Sequence, residues 1–164
     1  ERFSVSFTRV YGLETVALRY FNVFGPRQDP TSQYAAVVPR FIRAIADGLP
    51  VTVHGDGEQS RDFTYVENVV RANLLAADAP DGAGRVLNIA TGGSETVNAL
   101  AETIGSILDK PVEKTFGPAQ PGDVRESWAD VSAASETIGY EPSVGFEDGL
   151  RRTIDAMLQT KGAR

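Results

Sequence analysis

Two side chains in this sequence have chemistry suited to a phosphorylated ligand. Asn22 ends the apolar run in LRYFNVFGPRQDP (18–30), and Arg61 lies in GDGEQSRD (55–62). An asparagine amide offers two donors and an acceptor in one compact group, enough to bridge a phosphate oxygen or a sugar hydroxyl. The same side chain equally closes an Asx turn ahead of Gly25-Pro26. A guanidinium is a permanently charged fork that matches a diphosphate. With Asp62 beside it, Arg61 is equally half of a surface ion pair of small energetic weight. A third group, PGDVRESWAD (121–130), gathers Asp123, Arg125, Glu126, Trp128 and Asp130, and spacing alone leaves it open between a site and a solvated loop.

Other chemistries are excluded by what is missing. Without cysteine there is no disulfide, thiolate nucleophile or Cys-ligated metal. A single histidine, His54, rules out a His-based metal cluster, and with no GxSxG serine to activate it reads as a packed or surface residue. GDGEQS superficially matches G-x-G-x-x-G, but acids occupy two of its positions and an extended segment follows, so it predicts a turn and no phosphate cradle. The net charge is 16 − 22 = −6 with the basic residues scattered, which leaves no electrostatic footprint for nucleic acid or an anionic membrane. An anionic ligand must therefore be met by individually placed arginines. No stretch reaches the roughly 20 apolar residues that span a bilayer, and ERFSVSFTRVYG lacks the build of a signal peptide, so a cytoplasmic chain is expected.

The elements that position these residues follow from periodicity. The run TVALRYFNVFG is apolar on both alternating faces apart from Arg19, which predicts a central parallel strand over 15–24, buried between helical layers. A second strand is predicted in RVLNIATGG (85–93), with shorter extended pieces at VTVHG, RDFTYV and VEKTF, the last an edge strand. Helices are predicted in AAVVPRFIRAIADG (35–48), from Val66 to about Ala77, from a Thr96 N-cap through Leu108, and over 131–138 and 146–159. At the start, Phe3, Phe7, Val10 and Tyr11 share a helical face that Gly12 ends, yet nothing caps it: either the helix begins upstream in a longer protein or it is a short frayed one. Strands alternating with helices of this length indicate α/β architecture with parallel pairing. Ligands of open α/β sheets bind at the carboxyl ends of the strands, which brings Asn22, the TGG turn after Ala90 and the GDGEQSRD loop toward one crevice.

Taken in order, LRYFNVFGPRQDP, YAAVVPRFI, VHGDGEQSRDFTYVENV, LNIATGG, PGDVRESWAD and GYEP resemble the extended short-chain dehydrogenase/reductase family, specifically its nucleotide-sugar 4-epimerases, from Glu1 to about Met157. The resemblance implies the C-terminal part of such an enzyme. Residues 1–30 would end the Rossmann domain, and 31–164 would be mainly a substrate-binding domain, with 66–93 returning to the Rossmann sheet. The glycine-rich NAD loop and the catalytic Tyr-x-x-x-Lys pair would lie upstream, so no catalytic residue is expected in this chain and alone it should not turn over. The implied chemistry is hydride removal from sugar C4 to NAD, rotation of the 4-keto sugar and hydride return to the opposite face.

By motif match, Asn22 and Arg61 would contact the diphosphate and Val37 would offer a main-chain contact to the phosphates. Thr52 and His54 would border the uracil, Asp123 would accept from the ribose, and the backbone near Tyr20 and Phe21 would approach the nicotinamide. Ser127 falls where relatives restricted to unacetylated hexoses carry a bulky aromatic side chain, so it either leaves room for a 2-acetamido group or is simply a loop residue. The expected ligands are thus UDP-Glc and UDP-Gal with UDP-GlcNAc and UDP-GalNAc, and the full-length enzyme is expected to be a homodimer. The pattern is broken at Gln120, where many relatives have an arginine, so that a diphosphate charge partner is lost unless Arg125 substitutes. A dehydratase or decarboxylase of the same fold, or a non-catalytic nucleotide-sugar-binding module, remains the alternative.

Overall fold

The computed structural model describes residues 1–29 and 36–162. In chain order the elements are α1 (Arg2–Tyr11), β1 (Ala17–Tyr20), β2 (Val23–Phe24), α2 (Val37–Ala46), β3 (Val51–His54), β4 (Ser60–Arg61), β5 (Thr64–Tyr65), α3 (Val66–Asp78), β6 (Val86–Ile89), β7 (Glu95–Thr96), α4 (Val97–Leu108), β8 (Lys114–Gly117), β9 (Glu126–Ser127), α5 (Ser132–Ile138) and α6 (Phe146–Gly162). They group into two compact units. The first comprises 1–23, 62–93 and 128–145, and the second 24–61, 94–127 and 146–164. The chain changes unit within β2 and again between Arg61 and Asp62.

In the first unit β1 and β6 pair in parallel, Ala17 opposite Val86 through Tyr20 opposite Ile89, and the ladder is prolonged when Phe21 N donates to Ile89 O at 3.2 Å. The apolar residues of this pair meet the inward faces of α3 and α5, where Val69, Ala72, Leu87, Ile89, Ala134, Ile138 and Tyr140 form one cluster. Burying these side chains is the main favourable term in holding the sheet to its helices. The expectation that β1 is sandwiched by two helical layers is corrected within this chain. Ala17 and Leu18 are half-buried and Arg19 and Tyr20 exposed, because only β6 pairs with β1 among the described residues. α1 ends at Tyr11, as predicted. Gly12 closes it with φ 68°, a left-handed cap that glycine adopts without a Cβ penalty, and no side chain caps its start. None of its residues is buried, and Phe3 is 83% exposed. Glu1 instead accepts from Arg19 Nε and Nη2 at 2.7 Å each, and these bonds hold its carboxyl below the usual range.

In the second unit α2 and α4 pack together, α4 also meets α6, and both α2 and α4 cover the parallel pair β3–β8, which runs in register from Val51–Lys114 to His54–Gly117. Val38, Phe41, Ile42 and Ile45 supply the inward face of α2 at the predicted positions. Thr96 caps α4 as expected, its hydroxyl accepting from Ala99 N at 3.0 Å. Beside these lies a three-stranded sheet in the order β7-β4-β9, antiparallel on one side and parallel on the other. It gives Arg61 a fixed backbone, which RDFTYV as an isolated extended piece did not foretell.

Candidate functional site

At the carboxyl end of β1, Asn22 stands in the left-handed region at φ 35°, a conformation that asparagine tolerates better than other side chains because its amide bonds locally. Here that amide reaches a distant segment. Asn22 Nδ2 donates to Asp62 O at 3.3 Å, and Asn22 O accepts from Thr64 N at 3.3 Å. The Asx-turn alternative with Gly25-Pro26 is thereby replaced by a clamp onto residues 62–64. Asp62 is fully buried and does not pair with Arg61, contrary to the surface-pair alternative. Its carboxylate accepts from Thr91 N at 2.9 Å, Thr91 Oγ1 at 2.6 Å and Gly92 N at 2.9 Å. Gly93 N donates to Thr91 Oγ1 at 3.1 Å. The amides of the TGG turn are therefore engaged by the protein's own side chains. On the other flank of this turn, the buried Tyr140 hydroxyl donates to Ala90 O at 2.8 Å, and desolvation, with the Asp62 charge adding to it, pushes its pKa up to about 12.

Neither Asp62 nor Tyr140 stands out as a site residue in the sequence. The available signal is an acid at the head of the apolar run DFTYV, where an unpaired carboxylate would be costly. Asn68 is a second such residue. Fully buried at the first turn of α3, it donates to Val144 O at 2.8 Å and accepts from Ser143 N and Val144 N at 3.0 Å each, fixing the segment after GYEP. Tyr20 turns its hydroxyl to Asn73 Oδ1 at 3.0 Å, and Phe21 is half-buried.

In the second unit Arg61 extends from β4 with its cross-strand partners fixed: Ser127 of β9 on one side and Glu95 of β7 on the other. Directly opposed residues of a ladder share a face, so Ser127 and Arg61 project together. Arg61 Nη1 donates to Ser60 O at 2.6 Å, and Nη2 donates to Asp123 Oδ1 in an ion pair. Two residues from separate motifs, Arg61 and Asp123, are thus brought into contact. Arg125 takes a different partner: its Nη1 donates to Asp56 Oδ1 and Oδ2 at 3.0 and 2.7 Å, which lowers the Asp56 pKa. GDGEQS is a turn, as predicted, with Glu58 N on Asp56 Oδ1 at 3.0 Å and Gln59 Nε2 on His54 O at 2.7 Å. Thr52 is exposed on β3 opposite Thr115, and His54 is half-buried opposite Gly117. Val37 opens α2, whose first turn no side chain caps. Residues 30–35, which include the end of LRYFNVFGPRQDP and the start of YAAVVPRFI, lie outside the described residues.

Parallel strands covered by helices, with polar groups gathered at the strands' carboxyl ends, define an α/β protein of the class that binds ligands there. The model of the NAD dependent epimerase/dehydratase family matches residues 1–90, and the chain belongs to that family. Among solved structures, the UDP-glucose 4-epimerase of Thermotoga maritima in complex with UDP-glucose is similar with a TM-score of 0.93 and 42% identity, covering 98% of this chain and 51% of that one. The UDP-N-acetylglucosamine 4-epimerase of Methanobrevibacter ruminantium, in complex with UDP-N-acetylmuramic acid, gives 0.92 and 44%, over 98% and 51%. A UDP-N-acetyl-alpha-D-glucosaminuronate decarboxylase of Bacillus cytotoxicus is 35% identical over 150 residues, 87% of this chain and 46% of that protein. The chain spans about half the length of the curated relatives it matches. The fold is that of part of an extended short-chain dehydrogenase/reductase, a family of NAD-dependent nucleotide-sugar enzymes, and no helix among the described residues is long and apolar enough to cross a membrane.

Proposed function

We propose that this chain is the nucleotide-sugar-binding part of an NAD-dependent UDP-hexose 4-epimerase acting on UDP-Glc and UDP-Gal and, through the small Ser127, on UDP-GlcNAc and UDP-GalNAc. The observation that supports it most is the setting of Arg61. A guanidinium held on a three-stranded sheet already carries an anionic partner, Asp123, and has Ser127 directly beside it in register. In the proposed complex Arg61 and Asn22 meet the diphosphate, with the Val37 main chain contributing. Thr52 and His54 border the base, and Asp123 accepts from the ribose. NAD, held mainly by the N-terminal half that relatives possess, would supply the hydride acceptor. This chain's part is the backbone at Tyr20 and Phe21, with Phe21 N already fixed on Ile89 O. In the complete enzyme, proposed to be a cytoplasmic homodimer, this chain would grip the nucleotide firmly while the sugar stays free to turn.

The test is to express the chain together with the upstream half and follow each UDP-sugar by NMR. Interconversion of UDP-Glc with UDP-Gal and of UDP-GlcNAc with UDP-GalNAc is expected. Release of carbon dioxide from a UDP-hexuronate, without epimerisation, would instead establish the decarboxylase reading that the 35% identical relative favours.

A further inference from the structure

Asp62 occupies an unusual position for a carboxylate. It is fully buried, and the adjacent Arg61 turns away from it to Asp123. A buried charge persists only when its oxygens are satisfied. Three donors satisfy them here, all from Thr91 and Gly92. Two consecutive main-chain N–H groups aimed at one anion form a nest, and Gly92 at φ 75° supplies the left-handed residue that such a turn requires. Space around Gly92 is not the constraint, since an added Cβ would approach Val131 no nearer than 3.9 Å. In many α/β proteins such a turn after a strand cradles a ligand's phosphate. This one is filled by the protein itself.

The main chain of the same residue reaches the neighbouring strand, where Asp62 O accepts the Asn22 amide. β1 and β6 are parallel partners, so the carboxyl ends of both strands are fastened to residue 62. We propose that Asp62 is a positioning residue for the nucleotide-sugar site: its buried carboxylate fixes the turn after β6, and its carbonyl, held still by that anchorage, sets the Asn22 amide. The proposal rests on the nucleotide-sugar reading for its ligand, but its geometry lies wholly within the first unit. Asparagine in place of Asp62 would turn an NH2 toward one of the three donors, releasing the turn and, with it, the carbonyl that Asn22 holds.

The experiment uses the complete enzyme with D62N, N22A and the double variant, together with T91V and T91S. D62N is expected to lower kcat/KM for the UDP-sugar about 10- to 100-fold, with the loss mainly in KM. The double variant should lose no more than the worse single one, since both act on one amide. T91V removes a donor and should lose part of the activity, and T91S, which keeps the hydroxyl, should lose less. If D62N does not fold, the T91V and T91S pair combined with N22A gives the same reading. Multiplicative losses in the double variant, or an unchanged KM in a folded D62N, would overturn the proposal. Hydrogen exchange at Thr91 and Gly92 separates it from the nucleotide-sugar reading. Should the wild type bind no UDP-sugar, faster exchange at both amides in D62N still supports the anchorage, and unchanged exchange refutes it.

Discussion

Arg61 and Asp123 are joined by an ion pair within the second unit, although 62 residues separate them in sequence. One guanidinium nitrogen faces the carboxylate while another is held by the Ser60 carbonyl, so the fork is fixed from two directions. A pair of this kind pre-orders an arginine for an incoming diphosphate, which competes with the carboxylate for the same donors. In the complete enzyme R61A is expected to weaken UDP-sugar binding by about 1.5–3 kcal/mol, the range of a hydrogen bond to a charged group. R61K should recover only part of this, because an ammonium lacks the planar fork. Isothermal titration with UDP-glucose measures both.

Ser127 is the cross-strand neighbour of Arg61, so enlarging it intrudes on the face the guanidinium occupies. S127Y in the complete enzyme is expected to depress turnover of N-acetylhexosamine substrates selectively, by about 10- to 200-fold relative to UDP-glucose. Equal losses on both sugar classes would show that Ser127 does not border the sugar.

Tyr140 makes alkaline stability a measurable property of the first unit. Its hydroxyl is raised from 10.0 to about 12 by burial first and by the nearby Asp62 charge second. Between these values the native state retains a proton that the unfolded state has released, so this contribution is intact below pH 10 and is lost as pH rises through about 12. The loss amounts to about 2–3 kcal/mol. Urea unfolding between pH 9 and 12 should show this slope in the wild type and a shallower one in Y140F.

Asn68 tests a joint that carries no charge. Its amide oxygen accepts two main-chain donors and its nitrogen serves the buried Val144 carbonyl. N68A leaves these groups unpaired and should cost roughly 2–4 kcal/mol by denaturant unfolding. N68D keeps the acceptors but cannot donate to Val144 O, so it should destabilise as well.

Exposed apolar side chains on α1 predict the behaviour of the 164-residue chain by itself. Phe3, Val10 and Tyr11 are each at least 70% exposed and lie on one short helix with no buried residue. Patches of this kind associate. Sedimentation velocity should show mass increasing with concentration, and F3E/V10E should reduce it.

Much of the secondary structure was legible because burial imposes a period. The spacing of Val38, Phe41, Ile42 and Ile45 defines the inner face of α2, and Thr96 followed by an apolar stripe announces the cap of α4. Side-chain chemistry drew attention to Asn22 and Arg61, and the family resemblance to Asp123, whose ion pair with Arg61 only the fold brings together. The apolar run of β1 describes a strand suited to burial on both faces, whereas among the described residues only β6 pairs with it and Arg19 and Tyr20 are exposed.

What the sequence by itself determined is therefore which segments form helices and strands and which side chains have phosphate-binding chemistry, since both depend on near neighbours along the chain. Only the tertiary structure decided the partners. Asp62 turns away from the adjacent Arg61 to reach Thr91 and Gly92, and Arg61 and Arg125 each find a carboxylate more than 60 residues away. The reason is physical: a side chain's hydrogen bonds go to whatever donors packing delivers within about 3 Å, and no local rule encodes which distant turn that will be.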